Sequence, residues 1–421
     1  MPAEQALLVT VRFKEIPYRD SWPASESEAE LKELALSCGL RTVGELVLKR
    51  GCPSPAHLIG KGQAERVRDL SSSVGADVAV FGEDLSFTQQ RNLEEALDRK
   101  VIDRTQLILG LFARRARSNE GKVQVELAQL QYLLPRLAGK GIRLSRLGGG
   151  IGTRGPGEQK LEMDRRRIRQ RIRRLEDDLR QIQQRRETAR RKRLSKEAPT
   201  AVLVGYTNAG KSTLLNALTG AAAKSEDSLF TTLDPLTRRL PLPNGQGILL
   251  TDTVGFLHRL PHHLIEAFHA TLEEAAQVQL LLHVLDASSP LLEDKEAAVH
   301  EVLKELDADS RPMLLLLSKA DRLPLAAKER IRRIYPAGIL LSAQTGEGLD
   351  RLKDRLMAQL GRERRDATVR IPRGEEAWLS RIYREGEVLE RKDLVRETKV
   401  KVRVPLPLYG QLVSAGFLSA P

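Results

Sequence analysis

Lys211 and Ser212 are the residues of this 421-residue chain whose placement speaks most directly of chemistry. They close the run Gly205-Tyr206-Thr207-Asn208-Ala209-Gly210-Lys211-Ser212, a complete GxxxxGK[ST] phosphate-binding loop. An apolar run, Ala201 to Val204, precedes the loop, and a helix-like stretch opens at Thr213 and continues to Leu218. Glycines let consecutive backbone N–H groups turn inward around an anion, and the N-terminus of the following helix adds partial positive charge. In that strand–loop–helix setting Lys211 would reach the β- and γ-phosphates of a nucleotide, and Ser212 would ligate Mg²⁺. Further along, Ile248-Leu249-Leu250 deliver Asp252-Thr253-Val254-Gly255, a DxxG. Asp252 would hold a Mg²⁺ water there, and the Gly255 N–H would meet the γ-phosphate. Between loop and DxxG lies Phe230-Thr231-Thr232-Leu233-Asp234-Pro235, which offers a switch threonine whose hydroxyl completes the Mg²⁺ shell.

Two further loops bear on the base. The apolar run Met313 to Leu317 ends in Ser318-Lys319-Ala320-Asp321. A carboxylate at Asp321 can accept two hydrogen bonds from the N1–H and N2–H₂ edge of guanine, which adenine lacks, so GTP and GDP are the expected ligands. Ile339-Leu340-Leu341 ends in Ser342-Ala343-Gln344, where a backbone N–H could meet the guanine O6. Four loops, each just beyond an apolar run, fit an α/β sheet that binds ligands outside the carboxyl ends of its strands.

This set resembles the translation-factor-like GTPases, and the flanking sequence narrows the resemblance. Val125-Glu126-Leu127-Ala128-Gln129-Leu130, Tyr132-Leu133-Leu134-Pro135-Arg136-Leu137, Gly149-Gly150-Ile151-Gly152-Thr153-Arg154-Gly155-Pro156-Gly157-Glu158, and Asp103-Arg104-Thr105 followed by Leu107-Ile108-Leu109 look like the signature of the HflX family, in the Obg–HflX branch. The likeness runs from roughly residue 33 to residue 360. It implies a cytosolic GTPase that binds the large ribosomal subunit and splits stalled or idle ribosomes. Family spacing selects Thr232 over Thr231 as the switch threonine, so that Lys211, Thr232 and Gly255 form the expected catalytic set. Asn208 resembles the loop asparagine of GTPases that hold a potassium ion.

The chain departs from the pattern twice. Ser318 stands where the guanine motif usually begins with Asn, which braces the phosphate loop as well as the base. A serine is too short to do both well, so nucleotide binding is expected to be looser, with guanine preference kept by Asp321. Phe256 follows the DxxG where Ras-like enzymes place a water-orienting glutamine. Intrinsic hydrolysis is therefore expected on the order of 10⁻³ s⁻¹ or less, by analogy with unaided Ras, and completed by a partner or by potassium.

The chain carries 69 Lys and Arg against 56 Asp and Glu, a net charge of +13. Between Lys160 and Lys196 there are 16 Lys and Arg against 6 Asp and Glu, so most of the imbalance sits in one segment. Leu161, Ile168, Ile172, Leu175, Leu179 and Ile182 line one stripe of that segment at coiled-coil intervals. Val123, Leu127, Leu130, Leu134 and Leu137 repeat upstream with the same period, so the two predict an antiparallel helical hairpin. Pairing within the chain costs less loop closure than dimerisation, and a monomer is expected. Pro135 should kink the first helix or end it early.

The connection between the two helices holds six glycines in residues 148–157, with Arg143, Arg146 and Arg154 beside them. Such a run also suits a plain linker, and a basic helix also suits a solvated face. A stiff basic stalk ending in a flexible basic loop is nonetheless a sensible probe for folded RNA, through phosphate and shape contacts with strong salt dependence. The resemblance sends this loop toward the peptidyl-transferase region of the large subunit, which makes ribosomal RNA the expected contact of those three arginines.

The expected architecture is α/β and multidomain. Residues 1–117 alternate strand and helix patterns as a small parallel α/β domain. Expected strands are Leu7–Phe13, Thr42–Leu48, Val78–Phe81 and Val101-Ile102; expected helices are Leu31–Ser37, Gln63–Leu70 and Gln89–Leu97. Gly60-Lys61-Gly62 is read as a helix start rather than a second phosphate loop. Residues 118–196 form the basic hairpin, 199–362 the GTPase domain, and 363–421 a small C-terminal α+β module with a helix at Glu375–Tyr383 and strands at Val388-Leu389 and Lys399–Val404. Two cysteines, Cys38 and Cys52, make neither a disulfide framework nor metal spacing, which suits a reducing cytosol. The start, Met-Pro-Ala-Glu-Gln, lacks a signal peptide's basic and apolar regions, and no apolar run approaches the ~18 residues of a membrane span. His258 and His262 have zinc-like i, i+4 spacing, but Pro261 interrupts the turn, so they and His263 and His269 are read as ordinary switch residues. His283, on an apolar strand, is read as a satisfied core histidine.

The resulting reading is a GTP-hydrolysing switch that binds the large ribosomal subunit and splits or rescues ribosomes. A GTPase of large-subunit assembly, as in the related Obg proteins, and a nucleotide-gated RNA remodeller are the alternatives.

Overall fold

The computed structural model describes residues 3–14, 22–137, 156–194, 199–220, 230, 234–243, 247–257, 278–360 and 364–418. Thr231, Thr232, the basic tip with Arg143, Arg146 and Arg154, and His258, His262, His263 and His269 lie outside them.

The chain begins with a four-stranded parallel sheet in the order β2-β1-β3-β4, from β1 (Gln5–Phe13), β2 (Arg41–Arg50), β3 (Val78–Phe81) and β4 (Lys100–Asp103). Successive side chains of a strand face opposite ways, and here both sets are apolar because both faces are covered. Leu7, Val9, Val11 and Phe13 pack with Ala79 and Phe81 against α2 (Lys61–Ser73) and α3 (Phe87–Leu97). Ala6, Leu8, Val78 and Val80 face α1 (Ala24–Ser37) and α4 (Arg104–Arg115). Gly60 does precede a helix start: its N–H donates to Gln63 Oε1 at 3.0 Å. Two helices exceed the sequence expectation. α1 starts seven residues before Leu31, through a glutamate-rich stretch without clear apolar period, and α4 follows directly on Asp103, whose carboxylate caps it by accepting from Gln106 N at 2.8 Å.

Cys38 ends α1. Its thiol donates to the Leu107 carbonyl at 3.2 Å, and burial pushes its pKa up to about 11; Cys52 is exposed.

The hairpin consists of α5 (Asn119–Leu137) and α6 (Pro156–Leu194). Leu127, Ile172, Leu175 and Leu179 are buried between them, flanked by Val123, Leu130, Leu134 and Ile168, which are the positions the heptad spacing nominates. They run antiparallel: Glu126 meets Arg171 at 2.7 Å, while Asn119, nearer the start of α5, lies beside Ile182 and Arg185. α5 continues through Pro135 to Leu137, the last described residue before the tip. It is fastened to the first domain where Tyr132 OH and Arg136 Nη2 donate to Asp103 Oδ2, at 2.9 and 3.1 Å.

A six-stranded sheet follows, ordered β10-β9-β8-β5-β7-β6, from β5 (Thr200–Gly205), β6 (Leu236–Pro241), β7 (Gly247–Asp252), β8 (Leu280–Asp286), β9 (Met313–Ser318) and β10 (Ile339–Leu340). All neighbours are parallel except the edge strand β6. One face buries Leu203, Leu250, Leu282 and Leu316 against α7 (Lys211–Thr219) and α10 (Leu349–Leu360). The other buries Val202, Val204 and Leu281 against α8 (Leu292–Glu305), and Leu285 and Leu317 pack near α9 (Leu325–Ile334).

The C-terminal module is an antiparallel sheet, β11-β13-β12, from β11 (Arg364–Pro372), β12 (Glu387–Asp393) and β13 (Glu397–Pro405), covered by α11 (Glu376–Glu385) and α12 (Leu406–Ser414). β11 and α12 were not anticipated. β11 opens with a charged run that masks the alternation of Ala367, Val369 and Ile371 toward the core, and α12 holds Pro and Gly in nine residues.

Candidate nucleotide site

The loop after β5 is shaped by residues that few others could replace. Gly205 has φ +153°, and a Cβ there would lie 2.2 Å from the Val284 carbonyl oxygen of the neighbouring strand. Asn208 (φ +59°) and Gly210 (φ +91°) adopt left-handed backbone, turning the chain so that α7 starts at Lys211. Lys211 Nζ donates to the carbonyls of Gly205 and Tyr206, each at 3.0 Å. Burial pushes its pKa down to about 8, an effect that Asp252 partly offsets. A phosphate at the loop would compete for those ammonium protons and favour the charged form.

The end of β7 is stitched to this loop. Thr207 N donates to the Phe256 carbonyl at 2.7 Å, Phe256 N donates to Gly205 O at 3.1 Å, and Thr253 Oγ1 donates to Leu203 O at 2.7 Å. A Cβ on Gly255 would meet Thr207 Cα at 2.7 Å and Lys211 Nζ at 3.0 Å, so only glycine brings this backbone against the lysine. Phe256, whose lack of water chemistry the sequence made plain, is buried beneath the loop and holds it through its backbone. Ser212 Oγ donates to Asp252 Oδ2 at 2.6 Å, and Asp252 is fully buried. A hydroxyl beside a carboxylate is a hard-oxygen donor set that suits Mg²⁺.

At the base end Ser318 keeps one of the two contacts that an asparagine would make, the one to the loop. Ser318 does reach the phosphate loop: its Oγ lies 2.7 Å from Ala209 O and 2.9 Å from Leu285 O, and donates its single proton to these carbonyls. The loop brace is therefore kept, because β9 and the loop approach closely enough for a short side chain. Asp321 Oδ1 accepts from Ser342 Oγ at 2.5 Å, which aims the carboxylate, and Ala343 is half-buried beside them. Lys319, at φ +57°, pairs with Asp286 at 2.8 Å; that contact holds the Asp286 carboxyl below its usual range despite burial.

One correction concerns His283. It is fully buried, yet neither ring nitrogen has a hydrogen-bond partner among the described residues; burial and the neighbouring His300, 5.5 Å away ring to ring, lower its pKa to about 3.

Sequence reasoning missed the wall that the first domain presents. Tyr206 packs on Trp22 with ring centroids 5.6 Å apart, and its hydroxyl donates to Glu30. Glu30 also binds Arg104 at 2.5 Å. Asn208 Nδ2 donates to Glu33 Oε1 at 3.3 Å, and Lys295 Nζ lies 5.4 Å from the Tyr206 ring centre. Tyr206, Phe230, Val254 and Leu257 thus share one core with Trp22, Leu31, Leu34, Ile108 and Tyr132. The only sequence signal for this was Arg104, within the run that resembled a family signature.

A phosphate loop after the central strand, a DxxG at the end of its neighbour, and a base-selective carboxylate one loop beyond define the class: a P-loop GTPase. Sequence comparison agrees. The families described as GTP-binding GTPase N-terminal, GTP-binding GTPase Middle Region and 50S ribosome-binding GTPase match residues 25–113, 115–193 and 200–319. The GTPase HflX of Caldanaerobacter subterraneus subsp. tengcongensis is 46% identical over 90% of this chain and 87% of its own, and that of Escherichia coli K12 is 41% identical over 96% and 94%. A GTP-binding protein from Sulfolobus solfataricus, solved with GDP, is 25% identical over 85% of this chain and all of its own, with a TM-score of 0.43. The chain belongs to the HflX family of GTPases. Among the described residues no helix is long and apolar enough to cross a membrane.

Proposed function

We propose that this GTPase is a molecular switch of the cytosol that binds the large ribosomal subunit as a monomer and splits or rescues stalled or idle ribosomes. The observation that carries this reading is the attachment of a basic two-helix stalk to a nucleotide site. All but the first turn of α6 lies in the segment holding 16 Lys and Arg against 6 Asp and Glu, and its partner α5 is bolted through Asp103 and the adjacent Arg104 to the wall of the phosphate loop. The description of the matched GTPase domain as 50S ribosome-binding supports the same partner.

At the site, Gly205 to Thr213 cradle the phosphates, with Lys211 on the β- and γ-phosphates and the Gly255 N–H on the γ-phosphate. Ser318, Lys319, Asp321, Ser342 and Ala343 form the guanine pocket. Ser212 and Thr232 would hold Mg²⁺ directly and Asp252 through water; when bound, the ion neutralises charge on the transferring phosphoryl group. Lys211 supplies a positive charge already fixed by two carbonyls, so little reorganisation is needed as charge develops. Phe256 orients no water, so turnover alone is slow and the ribosome, or potassium at Asn208, completes it. Arg143, Arg146 and Arg154 are the RNA contacts at the hairpin tip.

GTP turnover with large subunits, small subunits or neither, in potassium and in sodium, tests this reading. Stimulation by large subunits alone is the expected result; turnover indifferent to ribosomes refutes the assignment. Splitting should also proceed with a non-hydrolysable GTP analogue, since a wedge needs the ordered switch and not its hydrolysis.

A further inference from the structure

Asp234 stands at the end of the segment expected to carry the γ-phosphate-sensing threonine, and its carboxylate is held by the hairpin. Oδ2 accepts from the backbone N–H groups of Arg117 and Ser118 at 3.0 and 2.8 Å. Ser118 Oγ donates to Oδ1 and itself accepts from Gly121 N at 2.8 Å. Donors at the first turn of a helix have no partner within the helix; Ser118 caps α5 at Gly121 N, and Asp234, from another domain, holds that cap by binding its hydroxyl and the two N–H groups ahead of the helix. The approach is close: a Cβ on Gly121 would lie 2.5 Å from Asp234 Oδ1. At the other end of the same segment, Phe230 (φ +53°) meets Phe112 of α4 edge-on, with centroids 4.7 Å apart.

We propose that Asp234 is a positioning residue that couples the nucleotide site to the hairpin: order in the switch segment and capping of α5 are one equilibrium. Leu236, two residues further on, pairs with Asp252 across β6 and β7, which ties position 234 to the phosphate end of the site, and the γ-phosphate dependence rests on the role proposed above for position 232. GTP orders such segments and hydrolysis releases them, so the cap is firm with GTP and loose with GDP. By reciprocity, any partner that grips α5 favours the GTP-bound switch. This coupling does not depend on what the hairpin touches.

Hydrogen exchange of the full chain, with GDP and with a non-hydrolysable GTP analogue, reads the equilibrium directly. Amides of residues 117–121 are expected to be protected about fivefold or more better with the analogue, within the usual range of coupling. Asp234→Ala brings the two states together, and Asp234→Asn, which keeps a neutral acceptor, lies between. A cap without coupling would lower protection by the same factor in both states and leave the ratio intact, and that result overturns the proposal. Should Asp234→Ala fold poorly, Ser118→Ala removes the hydroxyl's contacts to Asp234 and Gly121 N but leaves both backbone donors to Oδ2; it must still shrink the ratio, and an unchanged ratio is equally fatal.

Discussion

Lys211 shows how much one side chain's surroundings decide. Its ammonium is buried, so it loses its proton near pH 8 rather than above 10. Phosphate prefers the charged form, so binding above that pH must take up a proton. GDP affinity measured from pH 7 to 9 is expected to be flat below about 8 and to fall toward tenfold per unit above it, the limit for one proton. Ser318→Ala removes the donor to Ala209 O and is expected to cost about 1 kcal/mol, roughly a fivefold weaker GDP affinity by titration. His283 acts on folding instead. Its folded pKa lies below the unfolded value, so its neutral form stabilises fully above pH 6.5 and progressively less as pH falls toward 3. Urea unfolding at pH 7.5 and 5.0 should show a loss of about 2 kcal/mol that His283→Val largely removes. The motif glycines and Lys211 were legible because their chemistry is local. The reach of Ser318 and the imidazole of His283, unpartnered among the described residues, were not, because both depend on how closely separate strands approach.

The elements were legible where apolar spacing is regular. The hairpin seam follows from intervals of three and four alone, and Leu175, at 1% exposure, is its most buried residue. Leu175→Ala is expected to cost about 2–3 kcal/mol in local stability, the lower part of the range for buried leucines because a two-helix seam can partly close; exchange protection along α5 and α6 would report it. Glu126→Ala, by contrast, breaks a half-exposed ion pair and should cost under about 0.5 kcal/mol. β1 to β4 stood out through β-branched runs. α4 did not, for it is apolar around most of its surface, wedged between the first sheet and the GTPase core, and shows no polar face to mark its period.

Across the whole molecule, domain order could be read from composition but the shared core could not. Nothing in a linear pattern tells that Trp22 lies on Tyr206 or that Asp234 holds the cap of a helix begun over a hundred residues earlier. The charge distribution was legible, and its consequence belongs to this scale. If α6 and the tip bind RNA through phosphates, the logarithm of affinity for large subunits falls linearly with the logarithm of salt concentration, and charge-reversing pairs such as Arg173→Glu with Arg180→Glu flatten the slope by about one to two units. A slope that stays the same would place the RNA contact elsewhere.

The sheltered thiol at the end of α1 has a practical corollary. Of two cysteines, Cys38 is half-covered, engaged with a carbonyl and held protonated to about pH 11, whereas Cys52 lies open just beyond β2. Alkylation proceeds through the thiolate. A maleimide dye at pH 7 should therefore add once to the native chain, at Cys52, and intact mass would confirm it. The wild-type sequence thus arrives with a single address for a fluorophore, fixed to the domain that walls the nucleotide, and its movements can be watched without altering a residue.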